Sequence, residues 1–311
     1  MNAAALIERV SNWGRFGPDD QLGTVNLITA EKRIAAARLV KTGDVFSLAV
    51  DFEADTPQVK PSFRLNPQRS MVATGADVRA GVQSAFGLAG HGFADDMVVM
   101  SLQAATQWDS LAHCFHDYHM YNGRPCEMVG AKGATANDIA VLRDRVFTRG
   151  VLADVAGHLG VDALAADHHI TVAELEATLA AQDVKVEPGD ALLIRTGHLG
   201  RTQREGAWDQ FIEADEPGLG WDALPWIRDH DIAAVACDNW AFEVVPSRYE
   251  LGLPFHAVGI VYLGLLIGEI FELDDLAAAC RTDNRWDFLF TAPPLPFIGA
   301  VGSPINPLAI R

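Results

Sequence analysis

The chain has 311 residues, 49% of them hydrophobic and 21% charged, with 41 acidic against 24 basic side chains and a formal net charge of −17. That apolar content supports a large buried core and excludes a disordered chain, while the negative field repels phosphodiester backbones and anionic lipid surfaces. Neither nucleic acid nor membrane is expected as a partner, and an anionic small ligand would need a local arginine.

The first eleven residues carry Glu8 and Arg9 in a short apolar stretch and lack the pattern of a secretory leader. Thr29 is placed to cap a helix over residues 30–41, with Gly43 to stop it. Residues 45–52 alternate, with Phe46, Leu48, Val50 and Phe52 on one side, and predict an early strand. Residues 55–92 are rich in Pro, Gly, Ser and Asn and predict surface loop with possible lid elements.

Thr171 and Glu174 have capping-box spacing ahead of a helix through Ala181, and the turn at 187–190 leads into a buried strand over 191–195. Residues 232–237 and 257–266 read as further buried strands, and 273–280 as a helix with acidic residues at its positive end. The longest apolar run, 257–268, has only 12 residues, too short for a membrane span of about 20. The proline-rich end, 292–307, predicts a segment wrapping a finished core, neither helix nor central strand. Without repeats or a low-complexity linker, residues 1–311 read as a single domain of α/β or α+β class. Cys114, Cys126, Cys237 and Cys280 form no CxxC pair and fit a reducing, cytoplasmic setting.

Ligand-type side chains are densest between Gln103 and His119, where three of the ten histidines fall within seven residues. Were this stretch helical, His113, His116 and His119 would span an arc of about 120°, and Asp109 and His113 would share a face. A carboxylate and an imidazole held together either bind a divalent metal or form an oriented base. Asp238 and Trp240 lie at one predicted strand end and His198 near another, positions that often line a pocket. Trp13 and Trp108 are candidates for an aromatic wall against a planar substrate. No serine-hydrolase elbow, phosphate-cradling loop or dinucleotide fingerprint is found.

The stretch Gln103-Ala-Ala-Thr106-Gln107-Trp108-Asp109-Ser-Leu-Ala-His113 resembles the His-x-Gly-Thr-His-x-Asp-x-Pro-x-His signature of the cyclase superfamily, which includes kynurenine formamidase and isatin hydrolase. Thr106, Asp109 and His113 match it, whereas glutamine stands at both earlier histidine positions. Trp13-Gly14 with residues 16–26, Leu193 to Gly197, Asp238 to Glu243, Pro254-Phe255-His256 and Gly268 to Phe271 are similar to other segments of that family. The resemblance implies a swivelling β/β/α fold, assembled as a homodimer or homotetramer, and a metal-dependent hydrolase of a small cyclic or aryl amide or lactone.

It also implies that His113, His256 and Glu269, the last two thirteen residues apart, join Asp109 and Gln107 around one Zn²⁺ or Mn²⁺ ion. The catalytic proton carrier would be His113, His256 or Glu269, with Gln103, Trp13, Trp108, Asp238, Trp240 and His198 contacting substrate. An amide oxygen is a weaker ligand than imidazole, so a first site built on Gln103 and Gln107 is expected to be altered or empty. The alternatives are a metal-independent cyclase or lyase, or a non-catalytic small-molecule-binding protein, on the same scaffold.

Overall fold

In the computed structural model, residues 1–58, 63–87, 91–212 and 215–311 are described. The centre is a mixed nine-stranded sheet. Its strands, numbered in chain order, are β1 (Val45–Ser47), β2 (Gln107–Asp109), β3 (Phe147–Asp154), β4 (Ala191–Arg195), β5 (Ala234–Cys237), β6 (Leu266–Glu269), β7 (Asp287–Thr291), β8 (Gly302–Pro304) and β9 (Leu308–Ile310). They lie in the order β1-β9-β7-β3-β4-β5-β6-β2-β8, with β3 to β6 parallel and every other pairing antiparallel.

The parallel strands read as unbroken apolar runs because both faces are covered. On one face Val151, Ala153, Leu192, Ile194, Val235 and Ile267 pack under helices Ala3–Val10, Val172–Ala181 and Ala223–Asp229. On the other, Leu152, Leu193, Ala234 and Leu266 pack with Trp108, Phe288, Phe290 and the helix Asp274–Asp283. The fold is the α/β, swivelling β/β/α type.

Local sequence signals account for much of this. Thr29 accepts from the Lys32 amide and starts the helix Ala30–Ala37, shorter than the predicted 30–41. Thr171 and Glu174 form the capping box, each bonding the other's backbone amide. The early strand is regular only over β1, then continues through a bridge at Ala49 and a bond from the Val50 amide to Thr106 Oγ1.

Two expectations are corrected. Residues 257–266 are not a strand: Phe255–Leu263 is a helix with wide, five-residue bonds, closed by left-handed Gly264 before β6. An all-round apolar segment has no period to choose between buried helix and buried strand. The proline-rich end, as expected, supplies neither helix nor central strand; its one strand, β8, is an edge, where the missing donor of Pro304 does no harm. The loop over 55–92 contains strand Gln68–Ala73, which forms an exposed hairpin with Asp95–Val99, and a capped turn of helix, Gly75–Arg79.

Two glycines fix how the site is assembled. Gly268 lies opposite Trp108 across β6 and β2, and a Cβ there would come 2.5 Å from the Trp108 ring. Gly23, at φ +56°, brings the N-terminal segment against the end of the wide helix: a Cβ would sit 2.1 Å from the Gly264 carbonyl oxygen. Thr24 then donates its amide to that carbonyl and its hydroxyl to the Ala233 carbonyl. Asp20 accepts from the Gly23 amide, the Asn26 amide and the Tyr121 hydroxyl. The turn through Asn26 is therefore a clasp that seats the helix carrying His256.

Candidate metal centre

The predicted centre assembles at the seam between β6 and β2. Antiparallel pairing sets Glu269 opposite Gln107 and Ile267 opposite Asp109, so these four side chains share one sheet face and Trp108 takes the other. His256 descends onto that face from the first turn of the wide helix. Its Nε2 lies 3.2 Å from Glu269 Oε1 and 3.8 Å from Asp109 Oδ2. One ligand atom each from Asp109, His256 and Glu269 lie within 4.8 Å of one another. His113 Nε2 is 3.8 Å from Asp109 Oδ1. The stretch from Asp109 to His119 is a strand followed by turns, so the helical arc of histidines is not formed; His113 reaches Asp109 through a turn.

Both oxygens of Asp109 and Oε1 of Gln107 are buried without a hydrogen-bond partner among the described residues. Gln107 instead donates its Nε2 to Glu269 Oε2. Three orphaned acceptors beside an imidazole form a cation-shaped demand. Ligands about 2.1 Å from one tetrahedral ion lie about 3.4 Å apart, close to the spacings seen here, so the residues fit a metal ion.

Two carboxylates to which the sequence assigns no role shape this centre. Glu243 accepts from His256 Nδ1 at 2.7 Å and from the amides of Phe255 and His256 at 2.8 and 3.1 Å. It thereby orients the ring with Nε2 toward Asp109 and Glu269. Glu216, fully buried, accepts from the Trp240 amide at 3.0 Å. Neither is marked locally as a partner of the centre: Glu243 ends the family-like segment that starts at Asp238 but is thirteen residues from its histidine, and Glu216 lies in an acidic stretch of sequence. The backbone is bent at both joints, since Phe242 and Ile270, adjacent to Glu243 and Glu269, have φ of 63° and 60°. Thr106 holds the second joint by donating its hydroxyl to the Ile270 carbonyl at 2.5 Å.

Burial dictates the protonation pattern. It raises the Asp109 carboxyl, with His113 opposing and Glu269 adding to the shift. Burial also raises Glu243, and it raises Glu216 well above the usual carboxylate range. Desolvation works against the His256 imidazolium, but the bonds to Glu243 and Glu269 outweigh it and hold the ring protonated well above its ordinary range. The Cys114 thiol, facing the same carboxylates, is pushed up to about 12 by burial.

The remaining predicted contact residues divide. Trp240 lies beside the centre, its ring 5.0 Å from the Arg64 guanidinium carbon, and Gln103 packs against Gly302, the residue paired with Asp109. Trp108 is corrected to a core residue: it is fully buried against Phe271 and Phe290 and donates to the Ala292 carbonyl. Asp238 is corrected to a backbone staple, its oxygens taken by the Thr196 amide and hydroxyl and the Gly197 amide, all at 2.7 Å. His198 is corrected to a buried ring stacked on Phe211 beside Arg201, and desolvation takes its pKa down to about 4. Trp13 stacks on Tyr262, which in turn bonds His116 Nδ1.

Fold and centre together define an α/β protein with a carboxylate-imidazole cluster suited to a divalent cation. The Cyclase family model ("Putative cyclase") matches residues 46–244, and the chain belongs to that family. It is 40% identical to a crystal structure described as "a novel cyclase", covering 97% of this chain and 100% of that one at a TM-score of 0.89. Isatin hydrolase A from Labrenzia aggregata superposes at a TM-score of 0.64 with 16% identity, over 90% of this chain and 98% of that one. A "predicted metal-dependent hydrolase" from Bacillus stearothermophilus does so at 0.53 with 17% identity, over 86% and 98%. At such identities the last two share the fold. A comparison with curated proteins gives no match.

Proposed function

We propose that the protein is a single-domain, metal-dependent hydrolase that opens a carbon–nitrogen or ester bond of a small cyclic or aryl amide or lactone. The observation that carries this reading is Asp109: a buried carboxylate with both oxygens unpartnered, 3.8 Å from two imidazoles. Asp109, His256 and Glu269 would hold one Zn²⁺ or Mn²⁺ ion, with Gln107 Oε1 as a neutral fourth acceptor. Such an ion supplies an acidified water and a polarised carbonyl.

The chain's own groups do the rest. Glu243 keeps the His256 Nδ1 proton, so that Nε2 would face the ion as an acceptor once its own proton is displaced. His113, part-exposed beside Asp109, takes the proton of the attacking water and returns it to the leaving nitrogen or oxygen. Water's oxygen joins the acyl carbon, the acyl bond to nitrogen or oxygen breaks, and the new acid loses its proton to solvent. Burial of Glu216, Glu243 and Asp109 keeps bulk water from screening these charges.

A reducing, cytoplasmic setting accords with the four free cysteines. Assembly into a homodimer accords with the exposed hairpin, which leaves Met71, Val72, Met97, Val98 and Val99 in solvent. Among the described residues no helix is long and apolar enough to cross a membrane. Metal analysis of protein purified without chelator, followed by a screen of lactams, lactones, isatin-like rings and aryl formamides, tests the reading. Near-stoichiometric zinc or manganese and turnover lost in His113→Ala are expected; metal-free protein with full turnover refutes it.

A further inference from the structure

The centre has a second unmet demand, opposite in sign to the first. Beside the orphaned acceptors lie two orphaned donors, Gln103 Nε2 and Trp240 Nε1, each buried without a partner among the described residues. Buried donors without acceptors cost free energy unless a ligand or water supplies the missing oxygen.

Arg64 links them. Its Nη1 donates to the Gln103 carbonyl at 3.1 Å, its guanidinium carbon stands 5.0 Å from the Trp240 ring centroid, and Nη1 is 3.8 Å from Glu269 Oε2. The side chain is only 10% exposed, although it comes from a loop. The described residues around it are pinned: Leu65 and Ser101 exchange bonds, Asn66 pairs with the Gln58 backbone, and Gln58 Nε2 donates to the Ala104 carbonyl. The guanidinium is thus held on the same short segment that precedes Gln107 and Asp109. A flat, multi-donor cation stacked on an indole matches the two oxygens of a carboxylate.

We propose that Arg64, with the Trp240 ring N–H and the Gln103 amide, receives a small carboxylate, the acid released when the acyl bond is hydrolysed. This rests on the hydrolase reading and deepens it. The cation-seeking face of the centre, Asp109 and Glu269, and the anion-receiving face, Arg64, Gln103 and Trp240, then hold the two ends of one polarised acyl group. In a chain of net charge −17 a part-buried arginine at the centre is what makes an acidic product tolerable.

Benzoate is the probe. Isothermal titration of benzoate into the protein as purified, with metal content measured on the same sample, is compared between wild type, Arg64→Met and Arg64→Lys; neutral benzamide is the control. Arg64→Met is expected to weaken benzoate at least about tenfold with metal content and benzamide binding unchanged, and Arg64→Lys to restore part of the loss. Should Arg64→Met fail to fold, Trp240→Phe carries the test, keeping the ring and removing the donor. Equal benzoate affinity in wild type and variant, or no binding to wild type at about 10 mM, overturns the assignment. Loss of metal together with benzoate also overturns it, making Arg64 a support for Glu269. Metal-free wild type whose benzoate binding still depends on Arg64 leaves the assignment standing while the metal reading falls.

Discussion

Replacing Asp109 by Asn should leave the variant more stable than wild type without metal and less stable than wild type with it. In the metal-free state Asp109 is a buried carboxylate lacking any hydrogen-bond donor, with Glu269 adding negative charge and His256 Nε2 3.8 Å away. Leaving such a group unsatisfied costs about 1–3 kcal/mol, and the partial attraction to His256 brings the expected gain from the neutral amide to about 1–2 kcal/mol. Over 311 residues the unfolding entropy is about 0.65 kcal/mol per kelvin, so the metal-free variant should melt about 2–3 °C higher than wild type. Metal at a hundredfold its dissociation constant stabilises the folded state by about 2.7 kcal/mol, which lifts wild type by about 4 °C and the variant hardly at all. Differential scanning calorimetry with chelator and then with zinc reads both arms. If the chelated variant melts at or below wild type, or zinc lifts both equally, Asp109 is an ordinary polar core residue.

Glu243→Gln leaves only one oxygen for three donors on Phe255 and His256, and should cut metal affinity by about 10–100-fold with the fold retained, as read by competition with a chromogenic chelator. Because His256 is protonated well above its usual range until a metal displaces the proton, apparent affinity should climb by up to about tenfold per pH unit below that raised pKa; a pH-independent affinity counts against His256 as a ligand. Gly268→Ala drives a methyl into the Trp108 ring and should cost about 1–3 kcal/mol, lowering the melting temperature by about 2–5 °C. His198, taken down to about 4 by burial, has a folded pKa below its unfolded value near 6.5. Its contribution is therefore complete above pH about 6.5 and lost as pH falls toward 4, about 3 kcal/mol in all; His198→Gln should flatten that part of the stability profile measured by urea melts.

What the sequence showed and what it hid follow the same divide. Thr29, Thr171 and Glu174 were legible because a cap is a contact over three residues. His256, Glu269, Asp109 and His113 were legible through their resemblance to a family pattern, since no local rule joins β2 to a segment about 150 residues on. Glu243 and Arg64 were hidden because their partners are distant in the chain and no periodic pattern marks them. Trp108 misled because it sits between two residues of the centre in the sequence, whereas alternation along β2 faces those two toward the centre and so turns Trp108 away. Asp238 misled for another reason, since a strand-end carboxylate serves equally well to hold the next loop.

The way this chain treats its other buried carboxylates sharpens the reading of Asp109. Asp154 is met by Arg195 at 2.9 Å, by the Gly157 amide at 3.0 Å and by Arg281. Asp190 pairs with Lys32 at 2.6 Å, and Asp238 and Glu243 each take three donors. Every one of these four has its charge answered from within the protein, as burial in low dielectric demands. Asp109 is as deeply buried, yet neither imidazole beside it is within hydrogen-bond distance. Folding alone gives no reason to keep a carboxylate there, because an asparagine of the same shape would be cheaper. A divalent cation would give one, for it would pair at once with Asp109, with Glu269 and with the imidazole that Glu243 holds in place, and so turn an unanswered buried charge into an attachment point.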